Sequence, residues 1–243
     1  MEIITLSHGS GGKATNKLID SLFYKYFNNE FLSQKNDSSV LPTINGKIAM
    51  STDSFVINPI FFEGGDKVKG GDKIIISGTL GDHGMCIMNK RENLGFESNI
   101  KSDCCLLNKL IEDILSVSNN VRVLRDPTRG GLATTLNEII EHSNISMEIE
   151  EDFIPVKPEV AAMCEILGLD PLFIANEGKL IVVVDKNDSD KVLEVIKKNP
   201  IGVDASIIGH AIKDGKNKLY LKTTIGGKRI VNMPEGELLV RIC

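Results

Sequence analysis

The chain has 243 residues, of which 42% are hydrophobic and 25% charged, and its formal net charge is −5. This is the balance of an ordinary globular protein with one large domain or two small ones, so it excludes collagen-like, coiled-coil and wholly disordered chains. The negative charge argues against a nucleic-acid binder, no apolar run approaches the roughly 20 residues that span a bilayer, and the first residues do not form a secretory signal.

The first quarter of the chain contains two predicted strands and one predicted helix. Residues 2–7 are expected to form a strand, and apolar residues at helical spacing predict an amphipathic helix over 14–27. A polar loop at 28–46 precedes a second strand at 47–52. The Gly-rich, charged stretch 63–72 interrupts the apolar periodicity and is the candidate domain boundary.

Strands and helices are mixed along the rest of the chain. Continuous apolar runs predict buried strands at 74–77 and 180–184. Two further strands, at 205–212 and 217–223, are expected to be joined by a turn at 214–217. The apolar residues that mark helices fall in the segments 106–115, 132–140, 158–167 and 192–196. The mixture predicts an α/β or α+β fold.

Glycine-rich clusters are the most informative motif of this sequence. Consecutive Gly-containing turns can direct several backbone N–H groups at one anion, and a following helix adds its N-terminal dipole. An ordinary turn is an equal alternative for any one cluster, whereas the set together favours a phosphate ligand. The clusters are HGSGGK (8–13), SGTLGDHG (77–84), DPTRGGL (126–132), NEGK (176–179) and IGGKR (225–229).

Two familiar nucleotide motifs are tested against the first cluster. The P-loop pattern does not occur, because Ser7 stands where a glycine is required and Ala14 follows Lys13. The dinucleotide fingerprint matches at Gly9, Gly11 and Ala14, but a polar loop follows where a second strand ending in an acidic residue is required. A Rossmann site is therefore disfavoured.

Aspartates at turns are candidates for binding Mg²⁺, which takes oxygen ligands and is shared with phosphates. Asp53, Asp66, Asp72, Asp82 and Asp126 all lie at or near such turns. Aspartate is also a common turn and N-cap residue, and we favour that structural role for Asp72. Asp53 follows an apolar strand in a Thr-Asp-Ser turn, which favours a functional role.

The five cysteines are expected to be reduced thiols of a cytoplasmic protein. Cys243 is the last residue, and a mobile chain end suits a carrier thiol, although an incidental terminal residue is the alternative. Cys104 and Cys105 are adjacent and no C-x-x-C pair occurs, so a zinc site is not expected. Cys164 lies on the apolar face of a predicted helix and is expected in the core.

Taken together, several segments resemble the HypE family, the carbamoyl dehydratases of [NiFe]-hydrogenase maturation, which belong to the superfamily of aminoimidazole ribonucleotide synthase and selenophosphate synthetase. The likeness is carried by HGSGG, TDSF, SGTLGDHG, NLGFESNIKSDC, LRDPTRGGLATTLNEI, CEILGLDPLFIANEGKL and the terminal RIC. The resemblance implies that a carbamoyltransferase, HypF, loads a carbamoyl group onto Cys243. ATP then drives its dehydration to thiocyanate, and the cyano group passes to iron on a HypC–HypD complex.

The resemblance also implies roles for particular residues. Glu177, in the Asn-Glu-Gly turn, is the candidate base and His83 a second choice; the alternatives are a turn cap and an ordinary loop histidine. Mg²⁺, Lys13 and Arg129 are candidates for neutralising phosphate charge. Mg²⁺ would be bound by Asp53 and Asp66. The residues expected at the ATP phosphates are His8, Gly9, Ser10, Gly11, Gly12, Lys13, Asp126, Thr128, Arg129 and Gly130.

The likeness breaks after Asp66. The family continues there with a helix, a Met-Gly-Ala turn, a long helix and a strand ending in Gly-Asp-Thr-Lys, none of which this chain contains. That block normally supplies much of the ATP site and of the dimer-forming sheet. We therefore predict a PurM-like architecture with a reduced N-terminal domain (1–67), a complete C-terminal α/β sandwich (68–239) and a mobile tail (240–243).

The motifs leave three candidate functions. The first is a dehydratase with Cys243 as carrier, for which weak or no ATP hydrolysis is expected. The second is a nucleotide-deficient homologue that binds maturation partners. The family implies a homodimer, which is not expected here because the missing block normally supplies much of the dimer-forming sheet. A selenophosphate synthetase is disfavoured, because that family uses a residue near its N-terminus whereas the first cysteine here is Cys86.

Overall fold

The computed structural model describes residues 5, 8, 12–27, 68–92, 94–96 and 99–234. The helix predicted at 14–27 is confirmed as α1 (Lys13–Leu18), a π-helical segment (Ile19–Phe23) and α2 (Tyr24–Phe27). The predicted loop at 28–46 and strand at 47–52 lie outside the described residues, as does the strand at 2–7 except for Thr5.

Within the described ranges, seven strands form one sheet in the order β2-β4-β1-β5-β3-β6-β7. Six neighbouring pairs define this order. Five of them are antiparallel, and β3 and β6 pair in parallel. The strands are β1 (Lys73–Ile76), β2 (Val121–Arg125), β3 (Ser146–Glu150), β4 (Ile181–Val184), β5 (Ser206–Ile212), β6 (Leu219–Lys222) and β7 (Lys228–Ile230).

Five further helices accompany the sheet in the described part of the chain. Pro158 begins one of them, at the first-turn position where a missing N–H costs nothing. The helices are α3 (Asp82–Arg91), α4 (Asn108–Val117), α5 (Gly131–Ser143), α6 (Pro158–Leu167) and α7 (Ser189–Lys198). Short 3₁₀ turns occur at Glu151–Phe153 and Pro171–Phe173.

Helices cover both faces of the sheet, because the central strands carry apolar residues on both sides. Ile74 and Ile76 of β1 belong to a core cluster with Leu132 and Leu136 of α5. Ile75, on the opposite face of the strand, belongs to a second cluster with residues of α4 and α7. A third, smaller cluster joins α3 to α6. The predicted α/β fold class is confirmed.

The strands predicted at 205–212 and 217–223 are confirmed, but β5 and β6 are not neighbours in the described sheet. β3 lies between them and pairs antiparallel with β5 and parallel with β6. The turn that joins β5 to β6 therefore crosses the beginning of β3, where the Ser146 hydroxyl donates a hydrogen bond to the Asp214 carboxylate. β5 and β6 therefore do not form a hairpin, although the connection between them is short.

Candidate functional site

Three of the five glycine-rich clusters meet around Asn176, which has no exposed surface. Its side-chain oxygen accepts a hydrogen bond from the Gly81 N–H at 2.8 Å. Its backbone N–H and side-chain Nδ2 both donate to the Pro127 carbonyl, at 3.1 and 3.2 Å. Asn176 thus connects the clusters at 77–84, 126–132 and 176–179, which the sequence separates widely.

Two glycines in these clusters are required by close packing. A Cβ atom on Gly131, whose φ is +63°, would lie 2.5 Å from the Ile174 carbonyl oxygen. A Cβ on Gly84 would lie 2.4 Å from the Ile174 side chain. α5 begins at Gly131, and Gly84 lies in the first turn of α3. Because neither residue has a side chain, both helix starts can lie close to Ile174, in the segment that leads to Glu177.

The structure brings Glu177 and His83 together. His83, in the first turn of α3, is fully buried, and its Nε2 lies 4.0 Å from Glu177 Oε1. The Glu177 side chain is only 9% exposed. The backbone N–H of Glu177 donates to Asp103 Oδ1 at 3.1 Å, which fixes the turn that carries the carboxylate. A buried carboxylate beside an imidazole is an arrangement that can accept and pass on a proton.

Asp103 and Lys179 complete the wall behind Glu177. Lys179 Nζ lies 3.3 Å from Asp103 Oδ2, and both side chains are at least nine-tenths buried. A Cβ on Gly178 would come within 1.8 Å of the Asp103 carbonyl oxygen, so this turn is in direct contact with the backbone of Asp103. Sequence reasoning missed Asp103; its signal was the SDC triplet within one of the segments that resemble the HypE family.

Two thiols adjoin this wall. Cys104 Sγ, on an exposed residue, lies 3.6 Å from His83 Nδ1. Cys105 Sγ lies 3.4 Å from the Gly178 carbonyl oxygen, and burial raises the pKa of the Cys105 thiol. The predicted core position of Cys164 is confirmed by its 2% exposure, and burial raises the pKa of its thiol to about 11.

The turn aspartates of the described region already have protein partners. Asp82 Oδ2 accepts from the Thr79 hydroxyl at 2.6 Å and from Lys157 Nζ at 2.9 Å. Asp72 Oδ2 accepts from the Lys69 N–H and lies 3.5 Å from Arg122 Nε. Among the described residues, no group of three or more His, Cys, Asp or Glu side chains is placed to hold a metal ion.

The predicted phosphate-binding residues divide into two places. Asp126, Thr128, Arg129 and Gly130 form the loop between β2 and α5, next to the Asn176 junction, and Arg129 is exposed. Lys13 instead lines a groove of about 700 Å³ together with Asn137 and Glu141, in the second half of α5. The described atoms of the first cluster also show His8 Nδ1 beside the Thr5 hydroxyl at 2.9 Å, and Gly12 at the start of α1 with a φ of +94°. Gly9, Ser10, Gly11, Asp53, Asp66 and Cys243 lie outside the described residues.

The fold and the sequence define the class of this protein. Residues 69–222 match the family described as AIR synthase related protein, C-terminal domain. At full length, the chain is 35% identical over 332 residues to the carbamoyl dehydratase HypE of Rhizobium leguminosarum bv. viciae, which covers 99% of this chain and 95% of that relative. The chain belongs to the HypE family.

Two solved structures support the same assignment. A hydrogenase maturation protein HypE in complex with ATP has a TM-score of 0.72 and 30% identity, and the match covers 99% of this chain and 100% of that chain. HypE in a HypE–HypF complex has a TM-score of 0.67 and 44% identity, and the match covers 70% of this chain but only 55% of that chain.

The relatives are longer than this chain. The alignment with the Rhizobium protein has 332 positions and the chain has 243 residues, so at least 89 of those positions contain no residue of this chain. This difference in length agrees with the absence of a family block. The position of the missing block after Asp66 stays a prediction, and so do the boundaries of the three predicted domains. No helix in the described ranges is both long enough and apolar enough to cross a membrane.

Proposed function

We propose that this chain acts in [NiFe]-hydrogenase maturation as an ATP-dependent dehydratase, which converts a carbamoyl group on the Cys243 thiol to thiocyanate. Membership of the HypE family supports this activity. The observation that carries its chemistry is the position of Glu177, a largely buried carboxylate 4.0 Å from His83. HypF is the proposed carbamoyl donor, as a structure of a HypE–HypF complex supports, and HypC–HypD the proposed acceptor of the cyano group.

The reaction needs a better leaving group and an acceptor for protons. The carbamoyl oxygen attacks the γ-phosphorus of ATP and ADP leaves, which turns a poor leaving group into phosphate. Loss of that phosphate, together with the N–H protons, forms the carbon–nitrogen triple bond on sulfur. Every step after phosphoryl transfer therefore depends on a base close to the nitrogen.

Glu177 is the proposed base. Its backbone is held by Asp103 and its turn by Asn176, so the carboxylate does not depend on a flexible loop for its position. His83 Nε2 faces the same carboxylate and is a second group able to take the proton. Arg129, exposed on the loop beside this junction, is the described cation that we propose for phosphate charge, with Lys13 as a further candidate.

Magnesium would lower the charge of ATP and screen the transferring phosphoryl group. Its proposed ligands, Asp53 and Asp66, lie outside the described residues. The described aspartates Asp72 and Asp82 each accept hydrogen bonds from protein donors, and neither belongs to a group of three or more potential metal ligands among the described residues. We therefore assign no step to the metal.

The proposal is tested by intact mass of the carbamoylated protein. After loading by HypF, addition of Mg·ATP is expected to lower the mass by one water in the parent chain. Glu177→Gln should retain the carbamoyl group but lose at least about 100-fold in the rate of dehydration, the usual contribution of a general base. Glu165→Gln, on an exposed position of α6, is the matched control and should dehydrate at the parent rate.

The alignment positions at which this chain has no residue favour a second candidate, a nucleotide-deficient protein that binds maturation partners. Thermal unfolding with and without Mg·ATP separates the two. A rise in melting temperature with Mg·ATP supports the enzyme, whereas binding to HypF without such a rise supports the binding protein. We expect slow ATP turnover from the enzyme and none from the binding protein, so ATP-dependent loss of water from carbamoylated Cys243 would exclude the second candidate.

A further inference from the structure

Cys104 belongs to a cluster of polar side chains on the side of His83 that faces away from Glu177. Its Sγ lies 3.6 Å from His83 Nδ1. Ser102 Oγ lies 2.9 Å from the same Nδ1 and 3.1 Å from the Cys104 sulfur. The backbone N–H of Cys104 also donates to Ser102 Oγ at 3.3 Å, so the serine holds both the residue and its thiol beside the imidazole.

The imidazole joins this thiol to the acid. Nδ1 of His83 faces Cys104 and Ser102, while Nε2 faces the Glu177 carboxylate at 4.0 Å. A thiol, an imidazole and a carboxylate in this order form the arrangement that activates cysteine nucleophiles. The imidazole can take the thiol proton, the carboxylate stabilises the resulting cation, and the Ser102 hydroxyl can donate to the thiolate.

The other described cysteines lack this combination. Cys105 bonds to the Gly178 carbonyl, an acceptor that favours the neutral thiol, and Cys164 is 98% buried among apolar residues. Cys86 lies on α3 and is partly buried. Cys104 alone among the described thiols is both exposed and in contact with an imidazole nitrogen.

We propose that Cys104 is a nucleophilic thiol that undergoes exchange with small disulfides, and so forms a modification site in the wall of the Glu177–His83 site. In the step, the Cys104 proton moves to His83 and the sulfur attacks one sulfur of the disulfide. A new S–S bond forms with Cys104 as the old one breaks, and the second sulfur leaves as a thiolate that takes up a proton. The attached group would then lie against His83.

This inference does not depend on carbamoyl chemistry, so it is tested on the full chain alone. The parent protein is exposed briefly to oxidised glutathione, quenched with acid and digested, and each cysteine is quantified by mass. Cys104 is expected to be modified about tenfold faster than Cys105 or Cys86, as expected for an exposed thiol with an adjacent base. Cys243 is scored on its own peptide.

Two variants test the part played by the cluster. His83→Gln should slow modification of Cys104 about tenfold and leave Cys86 unchanged, whereas His142→Gln, at the far end of α5, should change neither rate. Ser102→Ala, at a half-buried position, is a milder change that should slow Cys104 even if His83→Gln fails to fold. Equal rates for Cys104 and Cys105, or an unchanged Cys104 rate in a folded variant of either residue, would overturn the proposal.

Discussion

Asp188 shows how one buried carboxylate joins the start of α7 to the residues that follow α4. It lies immediately before α7 and accepts hydrogen bonds from the Ser118 hydroxyl at 2.6 Å and from Asn120 Nδ2 at 3.1 Å. With Lys191, these donors lower the pKa of the Asp188 carboxyl to about 2. The carboxylate form is therefore favoured in the folded protein.

A carboxyl whose pKa is depressed by folding stabilises the protein above its unfolded pKa and loses that contribution as the pH falls through the folded value. Asp188→Asn should reduce the free energy of unfolding at pH 7 by about 1–2 kcal/mol. The difference from the parent should shrink between pH 4 and pH 2. Urea unfolding at several pH values measures the loss of stability and its dependence on pH. Asp204→Asn, at an exposed position, is the control. A difference from the parent that does not change with pH contradicts the lowered pKa of Asp188.

Some residues of the site could be predicted from the sequence around them, and others are placed in the site only by contacts that form in the folded chain. Glu177 and His83 could be named beforehand, because they lie within segments that resemble a known family. Asp103 and Ser102 could not be assigned to the same place, since the contacts of Asp103 with Glu177 and Lys179, and of Ser102 with His83, form only when the chain folds. Composition carries no information about such contacts.

At the scale of elements, α5 begins in close contact with the backbone of residues 172–174. Substitutions at two glycines test this packing. Gly131 and Gly168 both have a positive φ near +65°, at the beginning of α5 and the end of α6. A Cβ on Gly131 would collide with the Ile174 and Leu172 carbonyl oxygens, whereas a Cβ on Gly168 meets nothing within 4 Å.

Gly168→Ala should therefore cost only backbone strain, about 1–2 kcal/mol. Gly131→Ala carries the same strain and a collision with backbone atoms, and should cost at least about 3 kcal/mol. Chemical denaturation of the two variants measures the difference. Equal losses of stability would show that the backbone of residues 172–174 moves freely, against the close packing described above.

The elements that were predicted are those with strong apolar patterns. The all-buried β4 and the amphipathic α4, α5 and α7 were confirmed, whereas β2, β3, β7 and α3 were not predicted. β2 contains Arg122, which is buried between Asp72 and Asp185, so a charged residue occupies an interior position because its partners come from elsewhere in the chain. α3 begins inside a glycine-rich cluster that we interpreted as turns around a phosphate ligand, and its apolar residues pack on α6 rather than on the sheet.

At the scale of the molecule, both large core clusters fall between Val68 and Val231, as do all strands of the described sheet. A chain that starts at Val68 should therefore fold cooperatively by circular dichroism. A chain that starts at Ser77 lacks β1, the strand that pairs with both β4 and β5, and should remain unfolded. Failure of the longer fragment to unfold cooperatively would show that the first 67 residues are needed for the core.

The position of β3 between β5 and β6 has a consequence for folding during synthesis. β3 leaves the ribosome before either neighbour, so its edge toward β5 stays unpaired until residue 212 has been made, and its edge toward β6 until residue 222. A local hairpin of β5 with β6 would exclude β3 and would have to reopen before the sheet could close. Since this closure joins strands more than 50 residues apart, we expect it to be the slow step, and the one at which a molecular chaperone would act on this chain.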